Sequence, residues 1–197
     1  MRIVSLPLNT ESLTEYSTIP IRFEVKSRLS CELPGEGMGG IILREEKVVP
    51  PYIKDYDALE VAIEGEGPAR WVRKFDTKNW VLFLAGEANE PIGGATVAFR
   101  TPQVHMLAGR DDLAALWDIR VHPEYRRSGI GTALFAEAAE WSRERNCNYL
   151  KIETQNVNVA ACRFYAKQGC RLGEINRFAY TEPQVAQEVM LVWYLKL

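Results

Sequence analysis

The stretch Arg126-Arg127-Ser128-Gly129-Ile130-Gly131 sets two glycines two apart behind two arginines, and "TALFAEAAEW" follows it. Residues of these types can hold an anion. Glycines let backbone N–H groups converge and let a ligand come close to the chain. A helix that starts here adds its unpaired N–H groups and the positive end of its dipole. Together they suit a phosphate or pyrophosphate, and Arg126 and Arg127 add charge at the same end. The plainer alternative is a turn relaxed by glycine, with both arginines solvated. The stretch has no GxxxxGK[ST] run, so it is not a P-loop, and no GxGxxG, so it is not a dinucleotide fingerprint.

The elements that must position this stretch follow from periodicity. Residues 116–121 (LWDIRV) read as a strand bounded by His122-Pro123-Glu124. From Ile130 the period changes: Ile130, Leu134, Ala138 and Trp141 fall on one helical face, and Glu137, Glu140, Arg143 and Glu144 fall largely on the other. Residues 149–154 read as a strand and 158–169 as a helix, with Asn158 as N-cap and Gly169 just past the end. Residues 172–180 and 189–197 read as two closing strands. The last is apolar on both faces and is expected to be buried on both sides. Upstream, 80–85 and 91–100 read as strands with hairpin chemistry between them. Residues 21–29 alternate as a strand, with Ile21, Phe23 and Val25 on one face. The Gly-rich 33–40 reads as a loop. Pro50 and Pro51 are expected to break regular structure before a short segment from about Asp55. The order implies the α/β class, with a strand–helix–strand crossover carrying the glycine stretch at its turn.

Composition bounds the partners. The 197 residues are 47% hydrophobic and 25% charged, the balance of a soluble globular protein with a sizeable core. The net charge of −2 supplies no basic field, so nucleic acid is not the expected partner. Residues 1–115 hold 13 basic and 17 acidic residues, and 116–197 hold 11 and 9. A cationic ligand group would favour the first part and an anionic one the second. Cys31, Cys147, Cys162 and Cys170 form no CxxC pair and only two histidines accompany them, so no Cys/His metal site is expected. The cysteines read as small buried apolar residues, Cys162 and Cys170 inside. The amino terminus has no apolar signal region and no run has membrane-span length, so the reading is cytoplasmic, with no membrane partner.

The segment "RVHPEYRRSGIGTALFAEAAEW" resembles the acetyl-coenzyme A motif of the GNAT superfamily of N-acetyltransferases. The signature (Gln/Arg)-x-x-Gly-x-(Gly/Ala) is met by Arg126, Gly129 and Gly131. "NVAACRFYAKQGC" resembles the family's Asn-x-x-Ala-x-x-Phe-Tyr-x-Lys-x-Gly-Phe segment at Asn158, Ala161, Phe164, Tyr165, Lys167 and Gly169, with Cys170 in place of the usual aromatic. The likeness covers residues 79–197. "ETQNVNVAACRFY", "PYIKDYD" and "FDTKNW" are similar to the streptothricin acetyltransferases, which acetylate an amino group on the β-lysine part of an antibiotic. The resemblance implies a mixed, mostly antiparallel sheet with a splayed parallel strand pair and flanking helices. It implies one domain over 1–197, with 1–78 on the acceptor side and 79–197 binding acetyl-coenzyme A, and a role in antibiotic resistance.

Roles carried over by the resemblance are specific. Ile119, Arg120 and Val121 match the strand that holds the pantetheine arm through main-chain groups. Arg126, Arg127, Ser128, Gly129, Ile130, Gly131 and Thr132 match the backbone that holds the pyrophosphate. Asn158 matches a pantetheine contact, and Ala161 and Phe164 share its helix; an N-cap is the other reading of Asn158. Tyr165 matches the tyrosine that gives a proton to the departing thiolate, a task that a phenol with a pKa near ~10 suits. The other reading is a core tyrosine.

An alkyl amine must lose a proton before it attacks, and a positioned carboxylate typically adds ~10²–10⁴-fold. Asp118 and Glu153 are the candidates, because a carboxylate on an apolar strand needs a reason. The alternative for either is an arginine partner such as Arg120. By alternation Asp118 points opposite to Ile119, so a bulge would be needed to bring both to one cleft. Tyr52, Asp55, Tyr56, Asp57, Trp71 and Trp80 form an aromatic and acidic set suited to a small cationic amine, or else the aromatics build the core. Three functions remain open: acetylation of a small cationic amine, acetylation of a protein or peptide amine, and a non-catalytic acetyl-coenzyme A module. The apolar last strand either pairs with a second chain, giving a homodimer, or is internal.

Overall fold

The computed structural model describes residues 1–58, 67–87 and 90–197. The described chain runs β1 (Arg2–Leu6), α1 (Thr10–Ser17), β2 (Phe23–Glu32), β3 (Ile42–Lys54), α2 (Trp71–Lys74), β4 (Val81–Glu87), β5 (Glu90–Phe99), β6 (Leu113–Val121), α3 (Ile130–Glu144), β7 (Tyr149–Gln155), α4 (Val159–Lys167), β8 (Arg171–Asn176) and β9 (Met190–Lys196). It forms two compact units. The first takes 1–22, 55–152 and 195–197; the second takes 23–54 and 153–194. The tip of the hairpin expected between 85 and 91 lies partly outside the described residues.

In the first unit the strands are ordered β1-β4-β5-β6-β7. Neighbours are antiparallel up to β6, and β6 and β7 pair in parallel, Leu113–Leu116 opposite Tyr149–Ile152. This is the mixed, mostly antiparallel sheet with one parallel pair that the sequence implied, with α3 as the crossover. Helix α1 is not among the elements expected from periodicity. Its signal is a capping box: the Asn9 side chain accepts from the Ser12 N–H at 2.9 Å, and the Ser12 hydroxyl accepts from the Asn9 N–H at 3.1 Å. The helix so fixed buries Leu13 and Tyr16 with Ile19, Trp71, Leu82 and Leu84.

Two glycines on β5 let helices approach both sheet faces. A Cβ at Gly93 would come within 2.8 Å of Ile130 Cγ2 on α3. A Cβ at Gly94 would come within 2.6 Å of the Tyr16 ring and 2.9 Å of the Phe83 carbonyl oxygen. Residues opposite in the ladder therefore have a helix resting directly on them, Arg120 being the partner of Gly94.

In the second unit β2 and β3 form a two-stranded antiparallel ribbon, and the end of β7 is followed across its sheet by β9 and then β8. The expected break at Pro50-Pro51 does not occur: β3 runs through both prolines. Val25 pairs with Tyr52 while Ser27 pairs with Lys47, so the prolines occupy an irregularity where the ladder requires no N–H. Leu191, Val192 and Trp193 of β9 are buried, as its two apolar faces imply. Because β9 lies between β7 and β8, it is an internal strand. Asn156 stitches this unit: its amide donates to the Leu29 carbonyl at 2.8 Å and accepts from the Val189 N–H at 2.9 Å. Burial pushes the Cys162 thiol up to about 12 and the Cys170 thiol up to about 11, so both are inert apolar fillers.

Gly94→Ala should destabilise the protein by about 1–3 kcal/mol, because the buried Tyr16 ring and the Phe83 backbone must both move. Gly67→Ala, whose Cβ would meet nothing within 4 Å among the described residues, should stay within about 0.5 kcal/mol of the parent. Urea unfolding midpoints of the two variants distinguish the effects.

Candidate active site

The first unit holds a cradle built from backbone. Arg126 is extended, Arg127 has φ 66° and Gly129 has φ 92°, so the chain turns twice through the left-handed region just before α3. Gly129 is the N-cap and has no side chain to cap the first turn. The amides of that turn are thus directed at the loop, with the positive end of a 15-residue helix behind them. Among the described residues a Cβ at Gly129 would meet nothing within 4 Å, so the approach is open. Arg126 donates from Nε to the Val121 carbonyl at 3.1 Å and from its guanidinium to the Arg22 carbonyl at 2.8 Å. Its side chain therefore braces the loop, and burial lowers its pKa. The Ser128 hydroxyl donates to the Tyr125 carbonyl and Arg127 is exposed. These features fit a diphosphate held by main-chain groups.

The strand leading into the cradle is bulged. Thr96 pairs with Asp118 and Val97 with Leu116, which leaves Trp117 as the extra residue. The parallel ladder to β7 ends at Leu116–Ile152, while Ile119, Arg120 and Val121 continue opposite Ala95, Gly94 and Gly93 of β5. That ladder uses one edge of the segment; main-chain groups on the other edge are the ones suited to an extended pantetheine arm.

Asp118 and Arg120 lie two apart on one strand face and meet as an ion pair, their side chains 8% and 1% exposed. The Arg120 guanidinium also donates to both carboxylate oxygens of Asp57, at 2.7 and 3.0 Å, and to the Ile19 carbonyl at 3.2 Å. It lies 4.6 Å from the Tyr16 ring centre. Burial opposes the Arg120 charge, but Asp118 and the other partners outweigh it and raise its pKa well above the ordinary value. Burial, and then the Asp118 charge, raise that of the Tyr16 phenol. Asp118 spends Oδ2 on Arg120; Oδ1 is buried with no partner among the described residues. The Arg120 side chain therefore points into the unit, so a role in holding the coenzyme rests on its main chain.

In the second unit Asn158 is the N-cap of α4, its side chain accepting from the Ala161 N–H at 3.1 Å, and Gly169 (φ 89°) ends the helix. Ala161 and Phe164 are half-buried and Tyr165 is buried, its ring 5.4 Å from that of Phe164. Glu153 accepts from the Tyr180 hydroxyl at 2.9 Å. Of the acceptor set, Tyr52 is exposed on β3 and Tyr56 is half-buried. Asp55 caps the turn after it, accepting from the Asp57 and Ala58 N–H groups. Trp80 is a correction. Its side chain is buried, its indole donates to Thr101 Oγ1 at 2.7 Å and it stacks on Phe75, so it is core and offers no surface to an acceptor. Trp71 is core as well. Tyr16 and the pairing of Asp57 with Arg120 had no local signal in the sequence.

The profile of the acetyltransferase (GNAT) family matches residues 45–170. The chain is 32% identical over 155 residues to Streptothricin acetyltransferase A of Bacillus subtilis (strain 168), covering 77% of this chain and 78% of that one. It is 29% identical over 147 residues to Streptothricin acetyltransferase of Streptomyces lavendulae, covering 75% and 70%. A crystal structure from Bacillus anthracis str. Ames, assigned as a streptothricin acetyltransferase and in complex with acetyl coenzyme A, superposes with a TM-score of 0.73 at 28% identity over 100% of both chains. The chain therefore belongs to the GNAT acetyltransferase family. It is an N-acetyltransferase that depends on acetyl-coenzyme A.

Gly129→Val should weaken acetyl-coenzyme A binding by about tenfold or more, since a β-branched residue at a positive φ costs roughly 1–2 kcal/mol and distorts the loop. Calorimetric titration of the folded variant with the coenzyme measures this.

Proposed function

We propose that the enzyme acetylates a primary amine of a small cationic acceptor of the streptothricin type, by direct attack in a ternary complex. The similarity to Streptothricin acetyltransferase A over about three quarters of both chains carries this reading. The buried cluster at β6 supports it: two carboxylates share one guanidinium, and the spare Asp118 oxygen suits an ammonium group. Acetyl-coenzyme A supplies the acetyl thioester. The backbone from Arg126 to Thr132 holds its diphosphate, and main-chain groups of Ile119, Arg120 and Val121 align its arm, with Asn158, Ala161 and Phe164 contributing on α4. Asp118 Oδ1 takes the proton that the amine must lose, with Glu153 engaged instead by Tyr180. The amine nitrogen then forms a bond to the acetyl carbon, the carbon–sulfur bond breaks, the Tyr165 hydroxyl gives its proton to the sulfur, and the second proton shed by the nitrogen as the amide forms restores the Tyr165 hydroxyl. Asp55 and Tyr56, in the turn joined to β6 through Asp57, are proposed to meet the acceptor, and Tyr52 is assigned to it by residue type alone.

Purified enzyme should release free thiol from acetyl-coenzyme A with a streptothricin, and not with a panel of peptide amines. Release with peptides alone would sink the assignment. Tyr165→Phe should lower kcat by about 10²-fold or more while leaving coenzyme affinity near that of the parent. Equal losses in both would show that Tyr165 does not act on the leaving group.

A further inference from the structure

The coenzyme motif uses the main chain of Arg120 and leaves its side chain unexplained. That side chain is 1% exposed, and both terminal nitrogens of its guanidinium are held within the first unit. Two parallel bonds grip Asp57, one joins Asp118, one reaches the Ile19 carbonyl, and the Tyr16 ring lies beneath. A buried ionic cluster is a poor device for stability alone, because apolar packing of equal volume does as well or better. This cluster also holds more carboxylates than cations, which raises its cost. Its location is specific. Asp118 is the first residue after the Trp117 bulge, and Asp57 sits in the turn that Asp55 caps, next to Tyr56.

We infer that Arg120 and Asp57 are positioning residues of the acceptor site. Resting on the assignment of Asp118 as the amine contact, the clamp does two things. It pins Oδ2 of Asp118, which fixes the direction in which Oδ1 meets the acceptor nitrogen. It also locks the turn carrying Asp55 and Tyr56 to β6, so that acceptor-side residues and the strand of the coenzyme arm keep one spacing. Displacing a reacting group by about 1 Å can cost about 10²-fold in rate, which is enough to favour such a brace. The planar fork of arginine is essential here, and lysine, a single point charge, cannot grip two carboxylates in this geometry.

The test is steady-state kinetics on Asp57→Asn, Asp57→Glu and Arg120→Lys. The acceptor is whichever amine of a broad panel the parent enzyme turns over fastest; coenzyme affinity comes from calorimetry and folding from thermal melting. Asp57→Asn is nearly isosteric and leaves Arg120 paired with Asp118, so it serves even where Arg120→Lys fails to fold. Asp57→Asn and Arg120→Lys should keep coenzyme affinity within about twofold and lose about tenfold or more in acceptor kcat/KM, with KM for the acceptor raised. Asp57→Glu should recover part of that loss. Unchanged acceptor kinetics in folded Asp57→Asn, or parallel losses for coenzyme and acceptor, would overturn the inference. A fastest acceptor other than a streptothricin overturns the proposed substrate instead, and the clamp is still judged by the same split.

Discussion

A guanidinium taken out of water needs acceptors, and in the first unit the two terminal nitrogens of Arg120 recruit them from several segments. Asp118 comes from its own strand, Asp57 from the turn after Asp55, the Ile19 carbonyl from the end of the segment after α1, and the ring face from Tyr16. Each of these depends on another feature. Tyr16 reaches the sheet because Gly94 has no side chain, and α1 holds its place through the Asn9 and Ser12 capping box. Asp118 follows a bulge that places an extra residue, Trp117, in β6. Charge, packing and strand irregularity thus converge on one short segment, Leu116 to Val121.

The coenzyme side works by different physics. The proposed cradle offers backbone amides and a helix dipole, so side-chain identity matters there mainly where it controls conformation. Gly129 is needed because its φ of 92° disfavours other residues. The charged side chain of Arg126 serves to brace the turn, donating to Val121 and Arg22. Cofactor recognition of this kind tolerates change in most side chains, whereas the acceptor recognition we propose, through a carboxylate and its brace, would not.

This contrast explains which features the sequence disclosed. Arg126–Gly131 and Asn158–Gly169 are local: the turn, the cap and the helix that follow all lie within about a dozen residues, and local rules describe them. The strands around them were legible from alternation, and the buried β9 from its two apolar faces. Long-range pairings were not. Asp57 and Arg120 stand 63 residues apart, and nothing in either neighbourhood marks the bond. Trp80 and Tyr52 share an aromatic character, yet one is core and the other exposed, a difference set by the sheet and not by residue type. The prolines of β3 misled because a proline rule says nothing of ladder irregularities that accommodate it.

The most direct measurement is a structure of the enzyme with acetyl-coenzyme A and a streptothricin bound. The acceptor nitrogen is predicted within roughly 2.6–3.2 Å of Asp118 Oδ1, with Oδ2 still held by Arg120. A reacting nitrogen held by Glu153 or another group, with Asp118 untouched, would contradict the assignment of the acceptor site.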